Sequence, residues 1–587
     1  MGAFASCWCV QPQRFFRFCF AILALAGCGS DGDDGGPTAD ASVASDAGSD
    51  GPIADAQPLD GLNPEGALPD GSLSDVVQVD VASDGAIEDA QGESGLPVGS
   101  LGAWNAAATY KGMNLGQSLE AWVFDADQVI TKSLIDTLVS SGIRTLRLPV
   151  KSHINGTATT ADATLSDQVK SRVLEVLSWC EAANPRPQVL FDPLHHYHHY
   201  IGDPNYLHPD EELVNPADTD VRAVNIWKQW AQLTQNHGDW LAFDLVNEPF
   251  AWDATRTNEK YAELLAAIRP YTNRPVFVEP GGQASPLRVW DIEGDYLQDM
   301  NVGISVHLYG PGSYTHGSTG SAYAAHMRAV IAAEHDMVLW WAQEHGNRAI
   351  NIGEFGSKSS IGNTGRDLFQ AAHRAEAEAR IAAGANISGH AWMFGSDFAL
   401  LDNNGGNWTW KPGMQAAVAG DLSSIPLDPI PADLLDPKTA TVVHVQDTAA
   451  SYAIGPDGAI AMPETAAAAD FGARGVVVFR RQLPLVAGAT YQVTLAASRG
   501  ADAMVSMGGN YSEVSAAEWW TSYNYTYEKD GHPHEQSTTD RIHGDKKASS
   551  YRLVVPANAG PSPWIEASVH AASSGAGKVR LHICRVE

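Results

Sequence analysis

The chain has 587 residues, more than one ordinary domain carries, and 44% of them are hydrophobic, which is enough for a large core. Its formal net charge of -32 argues against nucleic acid and anionic lipid surfaces as partners. Half of that excess falls between residues 31 and 100, where sixteen acidic residues occur with no Lys or Arg, so it says little about any folded surface. Four of the six cysteines (Cys7, Cys9, Cys19 and Cys28) precede residue 29; Cys180 and Cys584 are far apart, and neither a disulfide framework nor a CxxC metal pattern is present.

In residues 1–28, Arg14 and Arg17 accompany a short apolar run that ends in small residues. This is the pattern of a secretory signal and not of a spanning helix. Its last four residues, Leu25-Ala26-Gly27-Cys28, resemble the bacterial lipobox, in which the chain is cut before the cysteine and the cysteine is lipid-modified. The resemblance implies export across the inner membrane and a lipid anchor on Cys28, in the cell envelope or outer membrane. The plainer reading is an ordinary cleaved signal. Residues 29–100 are rich in Asp, Gly, Ala, Ser and Pro and lack Trp, Tyr and Phe. Such a segment buries too little to offset its ordering entropy, which predicts a disordered acidic linker.

Residues 101–425 alternate short apolar runs with amphipathic stretches. The candidate strands are 110–116, 143–149, 188–194, 240–247, 274–280, 302–310, 349–355 and 388–395. Helical spacing appears between them, as at Val173, Leu174, Val176 and Leu177, or Ile226, Trp227, Trp230 and Leu233. Eight strands alternating with helices predict an α/β fold, a (β/α)8 TIM barrel. The competing doubly wound sheet lacks a GxGxxG after its first strand.

In such a barrel the C-terminal strand ends form the site. These candidate strands end in polar or aromatic groups: Asn114 and Gln117, Arg147, His195 and His196, Asn247 and Glu248, Glu279, His307 and Tyr309, Glu354, and Trp392. Polar groups gathered at one mouth are costly unless paired or used. Glu248 and Glu354 each close an apolar strand, in NEP and GEFG. Two facing carboxylates suit glycosidic bond cleavage, one protonated to donate to the leaving oxygen and one ionised to attack the anomeric carbon. The alternative is that each is half of an ordinary ion pair.

The segments GMNLGQSLEAW, GIRTLRLPV, HHY, IWKQWA…FDLVNEP, VHLYGP…YTHG, NIGEFG and AWMFGS, in that order, resemble the successive motifs of glycoside hydrolase family 5, the cellulase family of the retaining barrel clan. The resemblance implies Glu248 as acid/base and Glu354 as nucleophile. It implies that Asn247 hydrogen-bonds the sugar 2-hydroxyl, that Arg147 and Tyr309 position the nucleophile, and that His195 and His307 line the site. Trp392 is implied as a stacking floor. Departures are Pro193 within FDPLHHYHHY, which leaves His195 and His196 as alternatives for one position, the sequence Tyr314-Thr315-His316-Gly317, and Gln117 where Asn is common.

His195, His196, His198 and His199 suggest a transition metal site, but neighbours on a strand point to opposite faces and the implied reaction needs no metal or other cofactor. Glu279 reads as a structural or subsite carboxylate. After a Pro- and Asp-rich stretch at 426–438, residues 439–587 read as short alternating strands, predicting an all-β sandwich-like domain. There Tyr523, Tyr525 and Tyr527 alternate beside Trp519 and Trp520, either as a sugar-binding platform or as sandwich core. The sequence thus leads to the expectation of a monomeric, lipid-anchored, retaining enzyme that cleaves β-1,4-linked glucan without a cofactor. The alternatives are the same mechanism on mannan, xyloglucan or β-1,3-glucan, or a non-catalytic surface carbohydrate-binding protein.

Overall fold

A computed structural model describes residues 100–120, 129–152, 163–195, 216–249, 252–317 and 320–434, and beyond these the strands and turns named below within 442–586. All fall in the unit Ala86–Glu587. Cys28, the linker residues 29–99, His196, His198, His199, Trp519, Trp520, Tyr523 and Tyr525, all singled out above, lie outside the described residues.

Eight parallel strands close into a barrel in chain order: β1 (Gly112–Asn114), β2 (Thr145–Pro149), β3 (Gln188–Asp192), β4 (Leu241–Asp244), β5 (Val276–Val278), β6 (Val302–Leu308), β7 (Ile350–Phe355) and β8 (Ile387–Ala391). Between β8 and β1 the seam is Gly112 against His390 and Met113 against Ala391. Each strand is shorter than its sequence candidate and falls within it, except that β8 begins one residue before its candidate, at Ile387. Helix α1 (Leu101–Ala108) precedes the barrel; α2 (Lys132–Ser140), α3 (Asp167–Ala182), α4 (Pro216–Thr234), α5 (Ala254–Ile268), the short turn α6 (Gly281–Ala284), α7 (His326–Glu344) and α8 (Arg366–Ala382) follow successive strands, and α9 (Met414–Val418) comes last. Side chains of Ser100, Thr131, Ser166 and Asp253 cap α1, α2, α3 and α5 by accepting a first-turn N–H.

Side-chain alternation sorts the strands into two faces. Outward residues meet the helices: Phe191 packs edge-on against Trp230 at 5.0 Å, and Trp227 lies 5.0 Å from Phe243. Inward residues form layers. The lower one is apolar, where Leu101, Trp104 and Ala108 of α1 plug the barrel against Leu190, Ala242, Phe277 and Ala349. Trp104 Nε1 donates to the Trp240 carbonyl at 2.9 Å, which ties the plug to the wall. Two residues further along, the inward positions turn polar: Leu190 is followed by Asp192, Ala242 by Asp244 and Phe277 by Glu279.

After β8, the hairpin β9 (Leu401–Asn404) and β10 (Asn407–Trp410) lies beside the barrel, with Trp408 against Phe394 at 5.0 Å. Beyond residue 434 the described residues include strands β11 (Val442–His444), β12 (Ala453–Ile454), β13 (Ile460–Ala461), β14 (Val476–Arg481), β15 (Thr490–Ala497), β16 (Ala501–Gly508), β17 (Thr526–Lys529), β18 (His532–Glu535), β19 (Arg541–His543), β20 (Ser549–Val554), β21 (Trp564–Ala571) and β22 (Lys578–Arg585). Their sheet orders are β11-β14-β21-β16-β19, β12-β13-β22-β15-β20 and the pair β17-β18. Strand β22 meets the barrel: Arg580 pairs with Asp336 of α7, and His582 lies 2.9 Å from the Pro431 carbonyl.

Candidate active site

Arg147 organises the polar layer. It is fully buried on β2, and five carboxylate or amide oxygens from other strands reach it within 3.2 Å: Asp192 and Asp244 at 3.0 Å, Glu354 and Asn247 at 2.8 Å, and Asn114 at 3.2 Å. Glu279 stands at 3.5 Å. Burial works against its charge, but these carboxylates outweigh it and hold the guanidinium charged. One cation cannot balance four buried anions. Burial accordingly pushes both Asp192 and Asp244 well above the usual carboxylate range, with Arg147 pulling against it in each case.

Glu354 reaches this layer through an irregularity in β7. Val306 pairs with Ile352, but His307 pairs with Glu354, so Gly353 is an extra residue. Such a bulge turns the following side chain to the other face. Here it brings Glu354 inward. Gly353 fits because a Cβ there would sit 2.8 Å from Ser305 Oγ and 2.9 Å from His307 Nε2. Its carbonyl accepts from Asn114 Nδ2 at 2.8 Å. The Glu354 carboxylate is gripped on both oxygens, by Arg147 at 2.8 Å and by the Tyr309 hydroxyl at 2.8 Å. Burial raises its pKa above the ordinary value; His307 and Arg147 pull it down and Glu248 pushes it up.

Glu248 follows β4 with φ at +48°, a left-handed conformation that costs a non-glycine residue about 1–2 kcal/mol. Its backbone N–H donates to Glu279 Oε2 at 2.6 Å, and its Oε1 lies 2.8 Å from His307 Nδ1. His307 also stands 3.2 Å from Glu279 and 3.6 Å from Glu354. Burial opposes its charge, yet Glu354 and Glu279 raise its pKa well above the usual imidazole value. One oxygen each of Glu248 and Glu354 and a nitrogen of His307 lie within 4.8 Å of one another. Among the described residues this is the group with metal-like convergence. The raised pKa of His307 favours the protonated ring, whose nitrogens are donors.

His195, just past β3, places Nδ1 2.7 Å from Asp192 Oδ2 and stacks on Trp392, ring centroids 5.7 Å apart and planes 8° from parallel. Gly116 sits against the same indole: a Cβ there would lie 2.8 Å from Trp392 Cη2. Tyr309 meets His316 at 4.9 Å and Phe398 at 6.0 Å, and packs against the cluster that Phe398 forms with Trp392 and Met393. Burial pushes the His316 pKa down to about 4.

The structure therefore brings Arg147, His195, Asn247, Glu248, His307, Tyr309, Glu354 and Trp392 to one mouth, and His196 lies outside the described residues. The sequence reading missed Asp192 and Asp244 as partners of Arg147 and left Glu279 without a defined contact. Each lies two residues beyond an apolar residue of the lower inward layer, on the same strand face, a spacing that marks the face but not the partner.

The closed barrel and its mouth define a (β/α)8 protein with paired carboxylates at the ends of the fourth and seventh strands. Residues 103–397 match the model of Cellulase (glycosyl hydrolase family 5), about half of the chain, and the protein belongs to that family. Endoglucanase C of Acetivibrio thermocellus is 28% identical over 216 residues, covering 35% of this chain and 59% of that one. Endoglucanase A of Ruminococcus albus is 24% identical over 230 residues, with the same two shares. The chain thus spans 59% of the length of these curated relatives. The crystal structure of an endoglucanase from the hyperthermophilic Thermotoga maritima is similar over 54% of this chain and 99% of its own, at 21% identity and a TM-score of 0.46.

Proposed function

We propose that the protein is a retaining glycoside hydrolase that cleaves β-1,4-linked glucan within the chain, by double displacement and without a cofactor. The observation that carries this is the approach of Glu248 and Glu354, with oxygens within 4.8 Å. Retaining enzymes hold their carboxyl groups about 5–5.5 Å apart, whereas inverting ones leave room for a water at about 6.5–9.5 Å. Glu354, fixed by Arg147 and Tyr309, attacks the anomeric carbon from one face. Glu248 protonates the leaving glycosidic oxygen and afterwards takes a proton from the water that releases the sugar. Asn247 is oriented by its Oδ1 contact to Arg147, so its amide NH2 is the end presented to the 2-hydroxyl. Trp392, backed by His195, offers a flat apolar face to sugar C–H groups.

The same reading extends to the rest of the chain. Residues 1–28 act as a lipoprotein signal and 29–100 as an acidic tether from a lipid on Cys28. The catalytic domain is 101–425, 426–438 is a linker, and 439–587 forms a β-sandwich module that binds carbohydrate. The protein works as a monomer on the outside of the inner membrane. The endoglucanase names of the curated relatives support glucan as the first substrate to try. Incubation with carboxymethylcellulose, mannan, xyloglucan and β-1,3-glucan, with product anomers followed by NMR, tests it. The β-anomer appearing first, fastest on the β-1,4-glucan, is expected. The α-anomer appearing first overturns the mechanism, and fastest turnover of another polymer overturns the substrate.

A further inference from the structure

Glu279 ends β5, a strand that supplies neither reacting carboxylate. It is fully buried, and its carboxylate reaches the backbone of Glu248 and the ring of His307. Oε2 accepts the Glu248 backbone N–H at 2.6 Å. Oε1 faces His307 Nε2 at 3.2 Å, Ser305 Oγ at 3.4 Å and the Arg147 guanidinium at 3.5 Å. The opposite nitrogen of His307, Nδ1, stands 2.8 Å from Glu248 Oε1. Glu279 therefore holds Glu248 twice, through its main chain directly and through its side chain by way of His307.

Glu279 is itself well braced. The Tyr261 hydroxyl of α5 donates to its carbonyl at 2.7 Å, and its own N–H donates to that hydroxyl oxygen at 3.0 Å. The tether matters because Glu248 sits at a left-handed φ of +48°, a conformation that persists only where neighbours impose it. A charged acceptor on that N–H is one contact that holds it here.

We propose that Glu279 is a positioning residue for the reaction: it fixes the strained backbone of Glu248 and sets a carboxylate against the inner nitrogen of His307. The proposal rests on the reading of Glu248 as acid/base. His307 is faced by Glu354 from β7, Glu248 from the end of β4, Asp244 from within β4, Glu279 from β5, Arg147 from β2 and His390 from β8. Of these anions, Glu279 is the one beside Nε2, at an ion-pair distance of 3.2 Å without an aligned hydrogen bond, so it favours the charged ring through its own charge. Burial works against the charge of Glu279, but His307, Arg147 and the Glu248 N–H bring its pKa below the ordinary value and keep it anionic. The resulting imidazolium stands 3.6 Å from Glu354 and favours its attacking, ionised form.

Two substitutions separate the two duties. Glu279→Gln keeps an oxygen for the Glu248 N–H and removes the charge. His307 then loses its Nε2 proton at neutral pH, and the acid limb of the kcat/KM profile moves up by about one pH unit as Glu354 loses a cationic neighbour. Glu279→Ala also removes the tether, and kcat falls about 100-fold while KM changes less than about threefold. The imidazole 15N shifts of His307 report its protonation without reference to turnover. If the glutamine variant keeps both the wild-type pH profile and a doubly protonated His307, the inference is overturned, even if the alanine variant fails to fold. A wild-type protein that hydrolyses no glycan, or a Glu248→Gln variant with normal turnover, sinks the acid/base reading instead.

Discussion

The hydroxyl of Tyr309 donates to Oε2 of Glu354 across 2.8 Å, while Arg147 holds the other oxygen at the same distance. The two donors differ in kind. The guanidinium adds charge, whereas the phenol adds a hydrogen bond and keeps its proton, because burial and the Glu354 carboxylate raise its pKa well above the usual phenol value.

Tyr309→Phe removes that hydrogen bond and leaves the ring against Phe398 and His316. The pKa of Glu354 is already raised by burial, and losing a partner of its ionised form raises it further. The nucleophile must be ionised, so activity is lost on the acid side. The acid limb of the pH–rate profile moves upward, with turnover down about 10- to 100-fold at its optimum, as expected for a hydrogen bond to a charged group worth about 1.5–3 kcal/mol. A profile that superposes on the wild type contradicts the assignment.

Arg147→Met tests the charge balance of the polar layer. The variant leaves Asp192, Asp244, Glu279 and Glu354 buried without their cation. Breaking a buried pair in this way costs about 3–5 kcal/mol. The deficit depends on pH. In the variant these carboxyls have folded pKa values above their unfolded ones, and such groups destabilise the fold as pH rises through the folded value. The loss in denaturant unfolding free energy, relative to the wild type, is therefore smaller near pH 4 than near pH 8. A deficit that shrinks as pH rises excludes this account.

Much of this architecture was legible in the chain. Eight apolar runs predicted eight strands, since the inner barrel wall is apolar below and the outer wall apolar throughout. The strand ends Arg147, Asn247, Glu248, His307, Tyr309, Glu354 and Trp392 stood out because polar groups interrupted those runs. Two things did not show. The carboxylates that surround Arg147 come from strands 45 and 97 residues away, and their meeting depends on how the barrel staggers its strands. The inward turn of Glu354 depends on one extra residue, Gly353, and strict alternation places Glu354 on the helix side. Periodicity reads a regular strand; it does not read a bulge.

Gly353→Ala addresses that bulge. A Cβ at 2.8 Å from Ser305 Oγ and 2.9 Å from His307 Nε2 forces His307 out of its place between Glu248 and Glu279. Overpacking of this kind costs about 1–3 kcal/mol, and misplacing a catalytic group by about 1 Å costs about 100-fold in rate. Gly312→Ala is the control. Nothing lies within 4 Å of the added carbon, and its stability stays within about 0.5 kcal/mol of the wild type. Equal losses in the two variants mean that bulge geometry is not the cause.

Glu354→Ala tests the nucleophile and the stereochemistry together. Without an attacking carboxylate the covalent intermediate cannot form, and turnover falls by at least about 10,000-fold. Burial raises the pKa of Glu354, and the variant no longer has to bury that carboxylate, so folding is retained, although Arg147 and Tyr309 each lose a partner. The substitution also opens a space beside Arg147 large enough for a small anion. Added azide enters on the side of the sugar that the carboxylate used. Glu248 still protonates the leaving oxygen, and a single displacement follows. The product is an α-glycosyl azide from a β-linked substrate, the reverse of the configuration released by the wild type. With Glu248→Ala the rescued product instead keeps the β-configuration, because azide then attacks the glycosyl–Glu354 intermediate from the opposite face. The same anomer from both rescued variants means that Glu354 and Glu248 do not occupy opposite faces of the scissile sugar.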